Sequence, residues 1–168
     1  MKQYAILTVY GQNVTMKVKY REWKQVLPKP QEEVWSFFAH PDNLSKLTPS
    51  GVGFKMLSDL KGKAIYPGMI IEHRVSPILG IPLYWMTEIT QVAPFQYFID
   101  EQRFGPYAFW HHQHHFEAVA EGTLMTDKLH YKVPYGILGT IADSVFVGAT
   151  IDQIFNFRQK TLLDYFQK

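Results

Sequence analysis

From Met16 to Leu27 polar and apolar positions alternate, with Val18 and Tyr20 set against Lys17, Lys19 and Arg21. This period of two predicts a strand. Pro28 and Pro30 end it, because proline has no N–H to give to a ladder. The period then lengthens: Val34, Trp35 and Phe38 recur at helical spacing behind Glu32 and Glu33. A short helix over 31–39 follows, with carboxylates in the first turn where the helix dipole favours them. His40-Pro41-Asp42 breaks it, and Asp42 is placed to cap a second short helix, Asn43 to Leu47, which stops at Thr48-Pro49.

Strand patterns follow in succession. Val52, Phe54 and Met56 alternate with Lys55; Met69, Ile71, His73 and Val75 alternate with Glu72 and Arg74, which puts His73 on an apolar face. Leu83 to Val92 is a further strand whose faces, Trp85, Thr87 and Ile89 against Tyr84, Met86 and Glu88, the pattern does not rank. Tyr97 to Phe104 and Phe109 to Ala120 pair around Gly105-Pro106, and Glu121-Gly122 turns the chain into Thr123 to Val133. Beyond Pro134 the apolar positions shift to three- and four-residue steps: Val147, Ile151, Ile154, Phe155, Leu162, and Tyr165 or Phe166. They form one stripe of a long amphipathic helix, from about residue 139 to 167, on the order of 40 Å long. One strand, two short helices, six strands and a long helix predict an α+β domain: an antiparallel sheet with the helix across its concave face.

Composition narrows the function. A chain of 168 residues without cysteine is one domain with no disulfide framework, no thiolate metal site and no thiol nucleophile. The net charge of +2 rests on scattered Lys and Arg, which gives nucleic acid no electrostatic footprint. The apolar run Ala5 to Tyr10 is too short for a signal-peptide core, and nothing approaches a membrane span of ~20 apolar residues. A cytoplasmic location, without stable membrane insertion, is the expectation. Aromatic residues make up 15% of the chain against 19% charged residues, which suits either a bulky core or a hollow cavity walled by rings.

Four of the seven histidines fall within residues 111–115. In a strand, Trp110, His112, His114 and Phe116 share one face; His111, Gln113, His115 and Glu117 share the other. The first set is the more apolar and is expected inside. A His-x-His pair on one face has the spacing to chelate a metal, with Asp127, Asp100 or His73 as a third ligand. It equally suits two neutral imidazoles bonded to Asp127, Tyr131 or Gln102, or contact with a ligand. Asp127 lies among Met125, Leu129 and Tyr131, and a carboxylate buried there needs a partner. Pairing with one imidazole would raise that ring's basicity and make it a general base. No Walker, dinucleotide-binding or Gly-x-Ser-x-Gly pattern is present.

Several segments together resemble one known family. They are Leu27-Pro-Lys-Pro30 with Glu33-Val-Trp-Ser-Phe-Phe38, Pro41-Asp-Asn-Leu-Ser-Lys-Leu-Thr-Pro49, and Phe98-Ile-Asp-Glu-Gln-Arg-Phe-Gly-Pro-Tyr107. Trp110-His-His-Gln-His-His-Phe-Glu117, Gly122-Thr123 with Asp127, Tyr131, Pro134, Gly136, Gly139 and Ile154-Phe-Asn-Phe-Arg158 complete the set. The chain is similar to the START/Bet v 1-like (SRPBCC, polyketide cyclase/dehydrase-like) superfamily, and within it to a bacterial branch labelled ligand-binding SRPBCC domain. The resemblance runs from about Met16 to the C-terminus. It leaves residues 1–15 as an extension and 16–168 as the domain.

The resemblance implies a helix-grip fold, seven antiparallel strands curled around the C-terminal helix with a cavity between. Members bind lipids, sterols, polyketides, quinones, hormones or aromatic small molecules there, and some catalyse cyclisation or dehydration. It also turns Asp100 and Gln102 inward. The expected lining is His73, Trp85, Asp100, Gln102, Trp110, His112, His114, Phe116, Asp127 and Tyr131, with no cofactor and no metal. The expected function is binding of a hydrophobic or aromatic small molecule in a cavity of ~300–1,000 Å³. The alternative is a cyclase, dehydratase or hydrolase using His112 or His114 as base with Asp127. The apolar loop Pro77 to Pro82 and the Gly-rich segment Gly136 to Gly148 are placed either to gate the cavity and touch a membrane transiently or simply to cap the open end of the sheet.

Overall fold

The computed structural model describes residues 18–76, 81–134 and 146–167. Seven strands form one antiparallel sheet: β1 (Lys19–Leu27), β2 (Lys55–Met56), β3 (Met69–Val75), β4 (Leu83–Ala93), β5 (Tyr97–Phe104), β6 (Phe109–Val119) and β7 (Gly122–Lys132). Their spatial order is β1-β7-β6-β5-β4-β3-β2, so every connection after β2 is to the next neighbour and β1 closes onto the last strand. Helix α1 (Gln31–Phe38) follows β1, and helix α2 (Gly148–Phe166) ends the chain. The expected α+β helix-grip architecture is the observed one. The extension 1–15, most of the Pro77–Pro82 loop and most of the Gly136–Gly148 segment lie outside the described residues.

Two segments differ from the sequence expectation. The helix expected over 43–47 is a 3₁₀ helix that starts at Pro41 and ends at Leu47, since Pro41 presets the first turn. The strand expected from Val52 is shortened to Lys55–Met56. Ser50–Val52 form a 3₁₀ turn instead, closed by Gly53 in the left-handed region at φ 59°. Glycine occupies that region without steric cost, and the alternating apolar residues could not override it.

The sheet curls because β4 and β5 slip register twice, between Met86 and Thr87 and between Ile89 and Gln91. Extra residues on one strand of a pair bend it and increase the local twist. The inner face of β4 is thereby settled: Thr87 and Ile89 are buried. Helix α1 closes one end with Val34, Trp35, Phe37 and Phe38, and the Trp35 ring meets Phe116 edge-on at 5.6 Å. Helix α2 lies along β1, where Phe155 stacks flat on Trp23 at 3.8 Å and Arg21 pairs with Asp152 at 3.5 Å. Its buried stripe is Ile151, Phe155, Leu162 and Phe166; Tyr165 is exposed. The concave face between sheet and α2 is where the candidate chemistry collects.

Candidate functional site

Three adjacent central strands carry the polar cluster. In the β5/β6 register Asp100 sits opposite His112; in the β6/β7 register Asp127 sits opposite His114. Cross-strand neighbours lie within reach of each other directly and along the diagonal. The hydrogen bonds run on the diagonals: His112 Nε2–H donates to Asp127 Oδ1 at 2.9 Å, and His114 Nε2–H donates to Asp100 Oδ2 at 2.8 Å. The direct pairs are also close, with His112 Nδ1 at 3.4 Å from Asp100 Oδ2 and His114 Nδ1 at 2.9 Å from Asp127 Oδ1. The last contact is too bent to count as a hydrogen bond, yet it keeps opposite charges together. Two imidazoles and two carboxylates therefore close a ring of alternating partners.

The two imidazoles lie in different electrostatic settings. For His114 burial opposes the charge, but Asp100 and Asp127 at 2.8 and 2.9 Å outweigh it and raise its pKa. His112 is pushed down to about 4, first by burial and then by the His114 charge, whose ring centroid is 3.8 Å away. Burial would raise both carboxyls, but the imidazole hydrogen bonds and charges hold Asp100 and Asp127 well below the usual range. An ionised carboxylate accepts only, which makes each facing Nε2 the N–H, and of the two rings His114 is the one biased towards a second proton. Phe98 stacks on His114 at 4.1 Å and Phe155 of α2 meets His112 edge-on at 5.3 Å, so water is kept from both.

A cavity of ≈ 180 Å³ opens above this ring. His73, Trp85, Asp100, Trp110, His112 and His114 line it, so six of the ten residues picked from the sequence meet there. The other four stand elsewhere among the described residues. Asp127 lies behind the imidazoles as their acceptor, and Gln102 clamps the turn after β5 by bonding the Tyr107 carbonyl at 2.7 Å and accepting its N–H at 3.2 Å. Phe116 packs with Trp35 and Phe38, and Tyr131 is fully enclosed in a second cluster with Leu129, Ile151 and Phe155. His73 is sandwiched between Phe54 at 5.3 Å and Trp85 at 5.7 Å; its pKa is lowered to about 4 by burial, and its buried Nδ1 has no partner.

Sequence reasoning missed the far wall and the roof. Phe37, Phe38 and Leu47 close one end, and Arg158 enters from α2. The α1 residues show only helical spacing in the sequence, and nothing in the spacing of Ile154-Phe-Asn-Phe-Arg158 places its arginine at a cavity. Asp100, His112 and His114 bring one ligand atom each within 4.8 Å of one another, the only such group of three or more among the described residues, so the donor set for a divalent cation exists. Their nitrogens and oxygens face one another, and a cation there would have to displace the hydrogen bonds that close the ring.

A family model described as polyketide cyclase/dehydrase and lipid transport matches residues 27–156. Among curated proteins none matches this chain. Solved structures share the fold at low identity. A Chromobacterium violaceum protein aligns with TM-score 0.67 and 16% identity over 89% of this chain and 98% of its own. A Rhizobium leguminosarum protein gives 0.65 and 16% over 90% and 95%. Major latex-like protein 151 of Panax ginseng gives 0.65 and 13% over 90% and 99%. No helix among the described residues is long and apolar enough to cross a membrane.

Proposed function

We propose that this chain, which belongs to the polyketide cyclase/dehydrase and lipid transport family of the SRPBCC superfamily, binds one small aromatic or apolar molecule in the cavity between sheet and α2. The observation that carries this reading is the cavity itself: indole, phenyl and aliphatic walls over a floor of a few convergent polar groups. Such a division of labour is that of a binding site, apolar area for affinity and fixed polar atoms for orientation. The volume of ≈ 180 Å³ sets the ligand's size. An apolar cavity of ~150 Å³ holds benzene, so one or two fused rings fit and a whole lipid does not. His73 Nδ1, buried and unpartnered, offers the ligand a polar contact.

The enzymatic reading is weaker for a physical reason. A general base works best with a pKa near the operating pH. His112 is held at about 4, and His114, whose pKa is raised, donates its Nε2–H to Asp100 and turns Nδ1 to Asp127. All four ring nitrogens face a carboxylate within 3.4 Å, so neither ring presents a free nitrogen. The experiment is native mass spectrometry of freshly purified protein, with organic extraction of any adduct, followed by titration of 2-naphthalenemethanol into wild type and Thr87→Trp. Thr87 lines the cavity and is buried, so an indole there fills the space. Binding to wild type and its loss in a folded Thr87→Trp is the expected result. Equal binding by the filled variant would place the ligand elsewhere.

A further inference from the structure

The cavity has a cation whose donors are unspent. Arg158 enters from α2 and lines the cavity across from the sheet. Its Nε is buried with no hydrogen-bond partner, and its charge acts on Asp100, whose pKa it helps to lower. The guanidinium rests over the Phe155 ring at 5.2 Å, the same ring that shields His112. The carboxylates on the floor are committed elsewhere, since Asp100 and Asp127 each accept from an imidazole. Arg158 lines the cavity with a guanidinium whose buried Nε–H has no acceptor. Arginine in this state matches a planar oxyanion, two parallel N–H···O bonds to one carboxylate.

We infer that the ligand is an apolar ring acid, with its rings against Trp85 and Trp110 and its carboxylate on Arg158. This rests on the ligand-binding reading above and narrows it to a chemical class. A buried N–H without an acceptor is costly, and a ligand with no acceptor would leave the Nε–H of half-buried Arg158 so. An ammonium ligand would set a second cation beside it.

The test compares three probes of one size: 2-naphthoate, 2-naphthalenemethanol and 2-naphthylmethylammonium, titrated by calorimetry into wild type, Arg158→Gln and Arg158→Lys. Charge-assisted bonds of this kind correspond to a preference of about 10- to 100-fold for the acid over the alcohol. Arg158→Gln should bring that ratio near one, and Arg158→Lys should keep part of it. An alcohol or ammonium that binds wild type as tightly as the acid overturns the inference, as does a preference that survives Arg158→Gln. If Arg158→Gln fails to fold, the wild-type ratio and Arg158→Lys still decide. If no probe binds wild type, the cavity reading itself falls, and the inference falls with it.

Discussion

His112 and His114 are chemically identical residues two positions apart, and their surroundings shift their pKa values in opposite directions. His114 lies between two carboxylates at 2.8 and 2.9 Å, while His112 has one at 2.9 Å and the other at 3.4 Å. Removing a carboxylate tests this directly. Asp127→Asn keeps the volume and an acceptor for His112 but removes half of what holds the His114 proton. The pKa of His114, followed by NMR of the ring protons, should fall, and urea unfolding should show a loss of roughly 3 kcal/mol. An unchanged His114 titration would mean that Asp100 alone holds the charge. The same cluster sets the pH dependence of stability. His73 and His112 have folded pKa values depressed from 6.5 to about 4, so their contribution is full above 6.5 and is lost as pH falls towards 4. Each adds a slope of up to ~1.4 kcal/mol per pH unit in that window. Below it the depressed carboxyls of Asp100 and Asp127 continue the loss. His114 is raised, so its contribution is present below 6.5 and fades as pH climbs through its folded value. Denaturation midpoints between pH 4 and 9 should therefore peak near neutrality and fall more steeply on the acid side. A flat profile from 7 to 4 would refute the buried neutral imidazoles.

At the scale of elements, the turn from β6 to β7 decides whether β1 can close the sheet. Gly122 has φ 134°, and a Cβ placed there would lie 2.1 Å from the Leu27 carbonyl oxygen at the end of β1. Gly62, at φ 69°, has nothing within 4 Å of such a Cβ. Gly122→Ala therefore meets both strain and a backbone clash, and Gly62→Ala meets strain alone, worth about 1–2 kcal/mol. Urea titrations should rank Gly122→Ala as the more damaging by a wide margin; equal losses would show that β1 yields easily at its end. The two turns also mark what the residue pattern reveals. Glu121-Gly122 reads as a turn from its position between alternating runs, but the approach of Leu27, 95 positions earlier, does not. Alternation exposed the inner faces of β3, β6 and β7, because each has one apolar set. It left β4 unranked, since one face carries Trp85 and Ile89 and the other Tyr84 and Met86, and the double slip against β5 decides the matter through backbone geometry.

The whole molecule brings distant segments onto one small volume. The cavity's walls come from α1 and the 3₁₀ helix after it, from β3 and β4, from β5 and β6, and from Arg158 on α2. The strand carrying the histidines could be read from its own sequence, whereas Arg158 joins them only because α2 lies along β1. Its spacing belongs to the helix and carries no mark of the sheet. The same closure makes the cavity smaller than the open space a curled sheet and a helix enclose, since Phe37, Phe38 and Leu47 fill one end. A bound molecule would then stabilise all these walls at once. A ligand at about 100 times its Kd adds ~2.7 kcal/mol to the folded state, which appears as roughly 100-fold slower amide exchange wherever exchange needs the cavity to open. With 2-naphthoate, slowing is expected together in Phe37–Leu47, β3, β4 and the middle of α2, and not in the exposed loop around Lys61-Gly62. A second hollow, of ≈ 330 Å³, lies between Glu33, Ser36 and Phe37 of α1 and Tyr165 and Phe166 of α2. Protection confined to α1 and the end of α2 would put the ligand in that hollow and remove the imidazole ring from its recognition.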